Sequence, residues 1–298
     1  MLSVKYVRDI YAARKGSGRP LISFELFPAK TEEGERTLLE KTIPALLKLH
    51  PDFCSVTYGA GGGTREKTLA TVERIQNQYG VPMLCHVTCV NATVEQTGAV
   101  VDDASRRGIR NLLALRGDPP GGGEFCKTPG GFEFAAELAA YLRGRGGFCV
   151  GVAGFPEGHM ACKEGKHADW EYLKRKIDAG GDFVLTQLFY DNAFFFEFYE
   201  HLSARLHVNA PVSPGVLPIF SFAQISHITK LCGARLPDTL VKRLSELDGN
   251  DEALAAFGVE YATRQCQELL KAGVPGLHLY TLNKAKYVSQ VVRNLGLA

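Results

Sequence analysis

The sequence lacks an excess of either charge. Its 34 lysines and arginines nearly balance 32 aspartates and glutamates, for a formal net charge of +2, so it offers no electrostatic footprint for nucleic acid or an anionic membrane. The expected ligand is therefore small. Nowhere do apolar residues run for the roughly 20 positions of a membrane-spanning helix. The first twenty residues, MLSVKYVRDIYAARKGSGRP, lack the apolar stretch of a secretion signal, and a cytoplasmic location is expected. No C-x-x-C and no zinc-knuckle spacing occurs. The cysteines at 54, 85, 89, 126, 149, 162, 232 and 266 are scattered, several within apolar runs, and read as reduced packing residues; no metal is expected. Asn91-Ala92-Thr93 matches a glycosylation sequon, which without secretion is a chance match. Both phosphate-cradling fingerprints are missing: GAGGGT (59–64) fails G-x-G-x-x-G at Thr64, and G-x-x-x-x-G-K-[ST] occurs nowhere. Rossmann and P-loop sites lose on that ground, although glycine-rich loops still let a flat ligand approach the backbone.

What is present is alternation. Eight β-branched or apolar runs are separated by longer segments of helical period: LISFELF (21–27), FCSVTY (53–58), MLCHVTCV (83–90), NLLAL (111–115), FCVGVAG (148–154), FVLTQLF (183–189), PVSPGVLP (211–218) and GLHLYTL (276–282). Thr31 is a good N-cap for a helix from Glu32 to His50. Other helices are expected over 65–79, 94–107, 132–143, 166–179, 192–206, 222–231, 251–271 and 284–295, with an additional one from Asp238 to Leu247. Eight strand–helix pairs in about 250 residues is the size of a (β/α)8 TIM barrel, whereas a doubly wound sheet usually shows fewer strands. The expectation is a single-domain α/β barrel over residues 1–298, with 1–19 as an N-terminal extension or helix.

Barrel chemistry gathers where strands end and loops begin. Polar residues there are Glu25, Thr57, His86, Arg116 with Asp118, Glu157 with His159, Gln187, and Asn283 with Lys284. Glu25, in SFELFP, has apolar neighbours on both sides, which should desolvate its carboxyl and raise its pKa toward the range of a general acid. Strand period puts it on one face with Ser23 and Phe27, and does not say whether that face is the inner one. Asp118 sits in RGDPP. An adhesion tripeptide is a weak reading, a local Arg–Asp pair at a turn is the bland one, and a carboxylate held at a barrel mouth to steady positive charge fits the location best. In HADWEYLKRKIDAGGD (167–182), Asp169, Tyr172, Arg175 and Lys176 share one broad helical face, which is either solvated or a diphosphate grip. Gln187, in VLTQLF, is either a satisfied core amide or a reader of a heterocycle edge. His86 and His159 have no ligand-spaced partners. Trp170 and FFFEFY (194–199) read as helix packing.

In order along the chain, SFELFP, SVTYGAGG, CHVTC, ALRGDPP, GFPEGH, LKRKIDAGGDFVLTQLFYD, PGVLP and LYTLN resemble the motifs of methylenetetrahydrofolate reductases, over about residues 20–290. The resemblance implies an FAD-containing barrel that reduces 5,10-methylenetetrahydrofolate with NADH or NADPH. It implies Glu25 as the general acid toward folate N10, and Asp118 as the carboxylate beside flavin and pterin. It assigns flavin or nicotinamide contacts to Thr57, Tyr58, His86, Arg116, Gly117, Phe134, Ala135 and Phe155. His159, Asp169, Tyr172, Arg175 and Lys176 fall to the ribityl, diphosphate and adenosine side. Substrate contacts fall to Glu25, Thr57, Asp118, Gln187, Gln224 and Lys284. It also implies a homo-oligomer. Because the chain stops at Ala298, the regulatory domain of eukaryotic members is not expected.

The sequence departs from the family pattern in places. Phe134 and Phe155 stand where bacterial members usually have tyrosines, so stacking persists while hydroxyl hydrogen bonds are lost. Lys284 replaces an arginine, removing a bidentate fork. Ile228 stands where an aromatic often packs on substrate, and bulk at Gly181 is expected to disturb nearby cofactor contacts. Two other readings remain open: a flavin-free pterin-binding methyltransferase module, which would purify colourless, and a lyase forming a Schiff base at a lysine such as Lys176.

Overall fold

The computed structural model describes residues 5–58, 65–119 and 123–298. The glycine cluster at 59–63 with Thr64, together with Pro120, Gly121 and Gly122, lies outside the described residues. Eight strands, β1 (Leu21–Leu26), β2 (Phe53–Val56), β3 (Met83–Thr88), β4 (Asn111–Leu115), β5 (Cys149–Gly154), β6 (Phe183–Leu188), β7 (Val212–Val216) and β8 (Gly276–Tyr280), pair in parallel in chain order and close on themselves. This is the expected (β/α)8 barrel. All eight expected runs are strands, trimmed by zero to three residues where the chain leaves the ladder.

The helices are α1 (Val7–Arg14), α2 (Glu32–Thr37), α3 (Ile43–Leu47), α4 (Arg65–Tyr79), α5 (Val94–Arg106), α6 (Ala135–Arg145), α7 (Lys166–Asp178), α8 (Asn192–Glu200), α9 (Phe222–Cys232), α10 (Asp238–Glu246), α11 (Asp251–Lys271) and α12 (Ala285–Asn294). Thr31 caps α2 as expected, its hydroxyl accepting from Gly34 N–H at 3.1 Å. The single helix expected from Glu32 to His50 is instead two, joined by a π turn over Leu38–Thr42. Pro44 accounts for the break: it has no N–H to donate, and its ring crowds the carbonyl four residues back.

Burial follows strand alternation. Outward residues of the strands, among them Phe24, Leu26, Val56, Val87 and Leu279, pack with the helices into the main core. Inward residues at the N-terminal end form a second, apolar cluster of Leu21, Phe53, Leu84, Leu113, Cys149, Phe183 and Leu185, which Val7 and Tyr11 of α1 cover. Helix α1 thus plugs this end of the barrel. Tyr11 OH lies 2.7 Å from Ser213 Oγ, Arg8 pairs with Asp182 at 3.2 Å and Arg14 with Asp52 at 2.5 Å. Above this floor the inner positions turn polar: Ser23, Glu25, Ser55, His86, Thr88, Gln187, His278 and Tyr280. A polar lumen over an apolar, closed floor leaves one open end, where the strand C-termini lie.

Most cysteines pack as expected: 54, 85, 89, 149 and 266 are buried. Cys162 and Cys232 are half-buried, and Cys126 is exposed in the β4–α6 connection. Trp170 is fully buried, and so are Phe195 and Phe198 of the phenylalanine cluster.

Candidate active site

Closure of the barrel decides the face of Glu25. Its strand neighbours Phe24 and Leu26 point into the helix layer, so Glu25 and Ser23 point into the lumen, where Glu25 is only 7% exposed. Two imidazoles meet its carboxyl. Oε2 lies 3.4 Å from His278 Nε2 and 3.5 Å from His86 Nε2, and the second contact lacks hydrogen-bond geometry, leaving His86 Nε2 without a partner among the described residues. Burial pushes His86 down to about 4 against the pull of Glu25, with His278 acting in the same direction as burial. His86 is therefore neutral at pH 7.

Behind His278, Nδ1 lies 2.8 Å from Ser23 Oγ, which also reaches Leu277 O at 3.3 Å. The hydroxyl rotor gives two consistent proton arrangements. When Ser23 donates to Leu277 O, His278 donates from Nδ1 and its bare Nε2 accepts from a protonated Glu25. When Ser23 donates to Nδ1, Nε2–H donates to the Glu25 carboxylate. Both charge states of Glu25 thus have a matching neighbour. Tyr280 OH donates to Thr186 O at 2.8 Å, and burial, followed by Glu25, holds the phenol well above its usual value. Sequence reading passed over His278 and Tyr280 because GLHLYTL reads as an apolar run; their i, i+2 spacing on a strand was the available signal.

The cationic half of the mouth begins where β4 ends. Gly117 has φ +82°, and a Cβ there would meet Val90 Cγ1 at 2.7 Å and Thr88 Cβ at 2.9 Å. Both the conformation and the space demand glycine. It brings Arg116 over the Phe125 ring, 5.0 Å from its centroid, and leaves Asp118 exposed. From α7, Lys176 donates from Nζ to Ala153 O at 2.5 Å and lies 5.6 Å from the Phe155 ring centroid. Burial pushes this lysine down to about 8, opposed by Asp169 and assisted by Arg116. Burial likewise raises the Asp169 carboxyl, against Lys176. His159 is pushed down to about 4, by burial first and then by Arg116, while Asp118 acts in the opposite direction. Its ring stands edge-on to Phe155 at 4.6 Å, and Trp170 Nε1 donates to Phe155 O at 2.9 Å. Arg116, Asp118, His159, Asp169 and Lys176 are therefore one coupled group. The shared face of α7 is divided, however: Tyr172 and Arg175 stack on each other at 5.0 Å and are exposed.

The remaining candidates ring the opening. Thr57 follows β2, its N–H bonded to Leu26 O at 2.9 Å. Tyr58 beside it is buried, which pushes its phenol up to about 12 against Arg65. Phe134, 55% exposed, precedes Ala135 at the start of α6, where the Glu137 carboxylate accepts from Phe134 N–H at 3.2 Å. Gln187 falls at the register irregularity between β6 and β7, with Oε1 accepting from Leu188 N–H at 2.9 Å, which leaves the amide's donor end for a ligand. Gln224 is in the first turn of α9, and Lys284 lies 4.3 Å from the Phe220 ring centroid before α12. The side chains of Gln187, Gln224 and Lys284 share no hydrogen bond with the Glu25 cluster among the described residues. Glu157 is taken up elsewhere, pairing with Arg235 at 2.8 Å. Ile228 packs into the small apolar cluster beneath α9 and α10. At Gly181 a Cβ would meet Val152 Cγ1 at 3.1 Å, a tight contact between β5 and the end of α7.

These residues suit a flat, polar, anionic ligand. His86 Nε2 and Thr88 Oγ1 are buried with no hydrogen-bond partner among the described residues. Each such atom costs about 1–3 kcal/mol unless a ligand's heteroatoms meet it. Arg116 and Lys176 bring to this mouth the positive charge that an anionic ligand needs.

The methylenetetrahydrofolate reductase family's sequence model matches residues 10–296. A relative in Arabidopsis thaliana, named methylenetetrahydrofolate reductase (NADH) 1, is 38% identical over 291 residues, covering 94% of this chain and 49% of its own. A bacterial relative from Pectobacterium carotovorum, named 5,10-methylenetetrahydrofolate reductase, is 34% identical over 279 residues, covering 94% and 91%. The chain thus spans about half the length of the plant relative and most of the bacterial one. Among solved structures, an uncharacterized Clostridium thermocellum protein described as binding two copies of 5-methyl-5,6,7,8-tetrahydrofolic acid superposes with TM-score 0.65 at 14% identity, covering 96% of this chain and 97% of that one. A 7,8-dihydropteroate synthase from Vibrio fischeri gives 0.51 at 12%, covering 94% and 95%. Both likenesses are of fold.

Proposed function

Because the chain belongs to the methylenetetrahydrofolate reductase family, we propose that its barrel mouth reduces 5,10-methylenetetrahydrofolate to 5-methyltetrahydrofolate, with NADH or NADPH as hydride donor and FAD as resident cofactor. The observation that carries this reading is a buried carboxyl, Glu25, held between two imidazoles at the same barrel end as a coupled cationic group. Bound there, a flavin would supply a two-electron carrier between nicotinamide and folate. His86, Thr88, Arg116 and Gly117 would hold its ring side, and His159, Asp169, Arg175 and Lys176 its diphosphate side, with Phe155 and Phe134 as apolar walls.

Glu25 gives its proton to folate N10 as the C–N bond of the five-membered ring breaks, which leaves a 5-iminium cation. His278 Nε2, 3.4 Å from the carboxyl, can accept from Glu25 or donate to it, according to the tautomer that Ser23 selects at Nδ1. Asp118, in the loop after β4, would steady that cation electrostatically. Gln187 turns its amide donor to a heterocycle edge. Since both substrates use one mouth, they alternate. Initial rates are expected to give parallel double-reciprocal lines for NADH against methylenetetrahydrofolate; intersecting lines would contradict the shared mouth, and absence of 5-methyltetrahydrofolate among the products would overturn the activity. The depressed Lys176 also has the chemistry of a Schiff-base lysine. Borohydride with folate substrate is expected to leave it unmodified, because Nζ is engaged by Ala153 O.

The lysine sets a pH dependence. Below about 8 Lys176 is a cation, and above it the charge is lost. A bound diphosphate raises that value, so FAD affinity should fall as pH rises through 8, by at most about tenfold per unit. Titration of apoprotein with FAD between pH 7 and 10 measures this. Lys176→Met should bind more weakly and with a flat profile, and a wild-type slope in that variant would remove the lysine from the grip.

A further inference from the structure

The backbone of β8 leaves the barrel earlier than β1 does. The two strands pair as far as Glu25 with Tyr280, and then Leu282 and Asn283 take φ +46° and +58°, which turns the chain out toward α12. Beyond that point the ladder continues in side chains. Thr281 Oγ1 donates to Glu25 O at 2.6 Å, beside its own N–H at 3.2 Å. The Asn283 amide accepts from Phe27 N–H and donates to Phe27 O, both at 2.9 Å, as a paired strand residue would. Asn283 N–H in turn donates to Thr281 Oγ1 at 3.0 Å, and Thr42 Oγ1 donates to Asn283 O at 3.3 Å.

We propose that Thr281 and Asn283 are positioning residues for the Glu25 carboxyl, holding the backbone on either side of Leu26 so that the acid keeps its place between His86 and His278. β2 holds this strand end on one side, through Thr57 N–H to Leu26 O, but an edge left open on the other is freer to shift, and a shift of about 1 Å at a reacting group can cost on the order of a hundredfold in rate. Extending the ladder through side chains lets the main chain turn away and keep the mouth open while the acid stays fixed. Nothing else ties Phe27 N–H and C=O among the described hydrogen bonds. The inference rests on the assignment of Glu25 as the acid.

Asn283→Gly separates the two reasons an asparagine could stand here. Glycine takes the positive φ freely but deletes the fork. The folate step is expected to slow roughly tenfold with the folate KM within about twofold, while reduction of an artificial quinone acceptor by NADH, which needs no proton from Glu25, stays within about twofold. Asn283→Asp, which keeps the acceptor for Phe27 N–H, should recover part of the loss, and Thr281→Val should lose a similar amount. In a Glu25→Gln background Asn283→Gly should cost nothing further. Wild-type folate turnover in Asn283→Gly, an equal loss with the quinone, or an undiminished loss in the Glu25→Gln background would each overturn the proposal. A readout independent of turnover is the imidazole ¹⁵N resonances of His86 and His278 at neutral pH. They should move in Asn283→Gly, and unmoved resonances contradict the fork. If the wild-type protein reduced no folate, the functional reading would fall and these resonances alone would decide the matter.

Discussion

Glu25→Gln is expected to slow the folate half-reaction by roughly 10²- to 10⁴-fold, the usual contribution of a general acid, while FAD binding and flavin reduction by nicotinamide remain within about threefold. Glutamine keeps the shape and can still hydrogen-bond His278, but it carries no acidic proton. The two half-reactions therefore separate cleanly: hydride arrival needs no proton from this residue, and ring opening at N10 does. His86 cannot substitute as the acid, because burial keeps it neutral until about pH 4. Anaerobic stopped-flow of each half-reaction checks the split. A variant that oxidises reduced flavin with methylenetetrahydrofolate at the wild-type rate would remove Glu25 from the mechanism.

Asp118→Asn should have the second largest effect. For an assumed separation on the order of 8 Å and an effective dielectric of about 20, Coulomb's law assigns a carboxylate–iminium pair about 2 kcal/mol, which corresponds to about a thirtyfold slower folate step. The sign reverses in the other half-reaction. Removing a negative charge near a group that is gaining electrons favours their arrival, so flavin reduction by NADH should be unchanged or faster. Asp118 is exposed and reaches the site from the turn at Gly117, so the substitution leaves the core untouched and the protein should unfold at the same temperature. Equal rates in both half-reactions would show that this carboxylate only balances His159 and Arg116.

What could be read from the sequence was whatever is local. The eight strands are legible because β-branched runs bounded by turn residues have few other conformations, and the bounds expected for α11 match those observed because its apolar period is long; the structure adds the cap, Asn250 Oδ1 accepting from Ala253 N–H at 3.1 Å. The face of Glu25 was not legible. Alternation gives two faces, and only closure of the sheet into a barrel says which one is the lumen. His278 was hidden for a related reason: one histidine within an apolar run acquires meaning only when β8 closes against β1, 253 residues away from its partner. The division of α7 is another tertiary effect, since helical spacing puts Asp169, Tyr172, Arg175 and Lys176 together while the β5 loop covers only the part carrying Asp169 and Lys176. The π turn ahead of Ile43 was readable in principle from Pro44, whose missing N–H interrupts an otherwise continuous pattern.

The central claim is that one barrel mouth holds a flavin that the two substrates reach in turn. The visible absorbance of the FAD-reconstituted protein under anaerobic conditions tests it most directly. Addition of NADH should bleach the flavin band, and subsequent methylenetetrahydrofolate should restore it with one 5-methyltetrahydrofolate formed per flavin. A protein that FAD cannot reconstitute, or a bleached flavin that the folate leaves bleached, would contradict it.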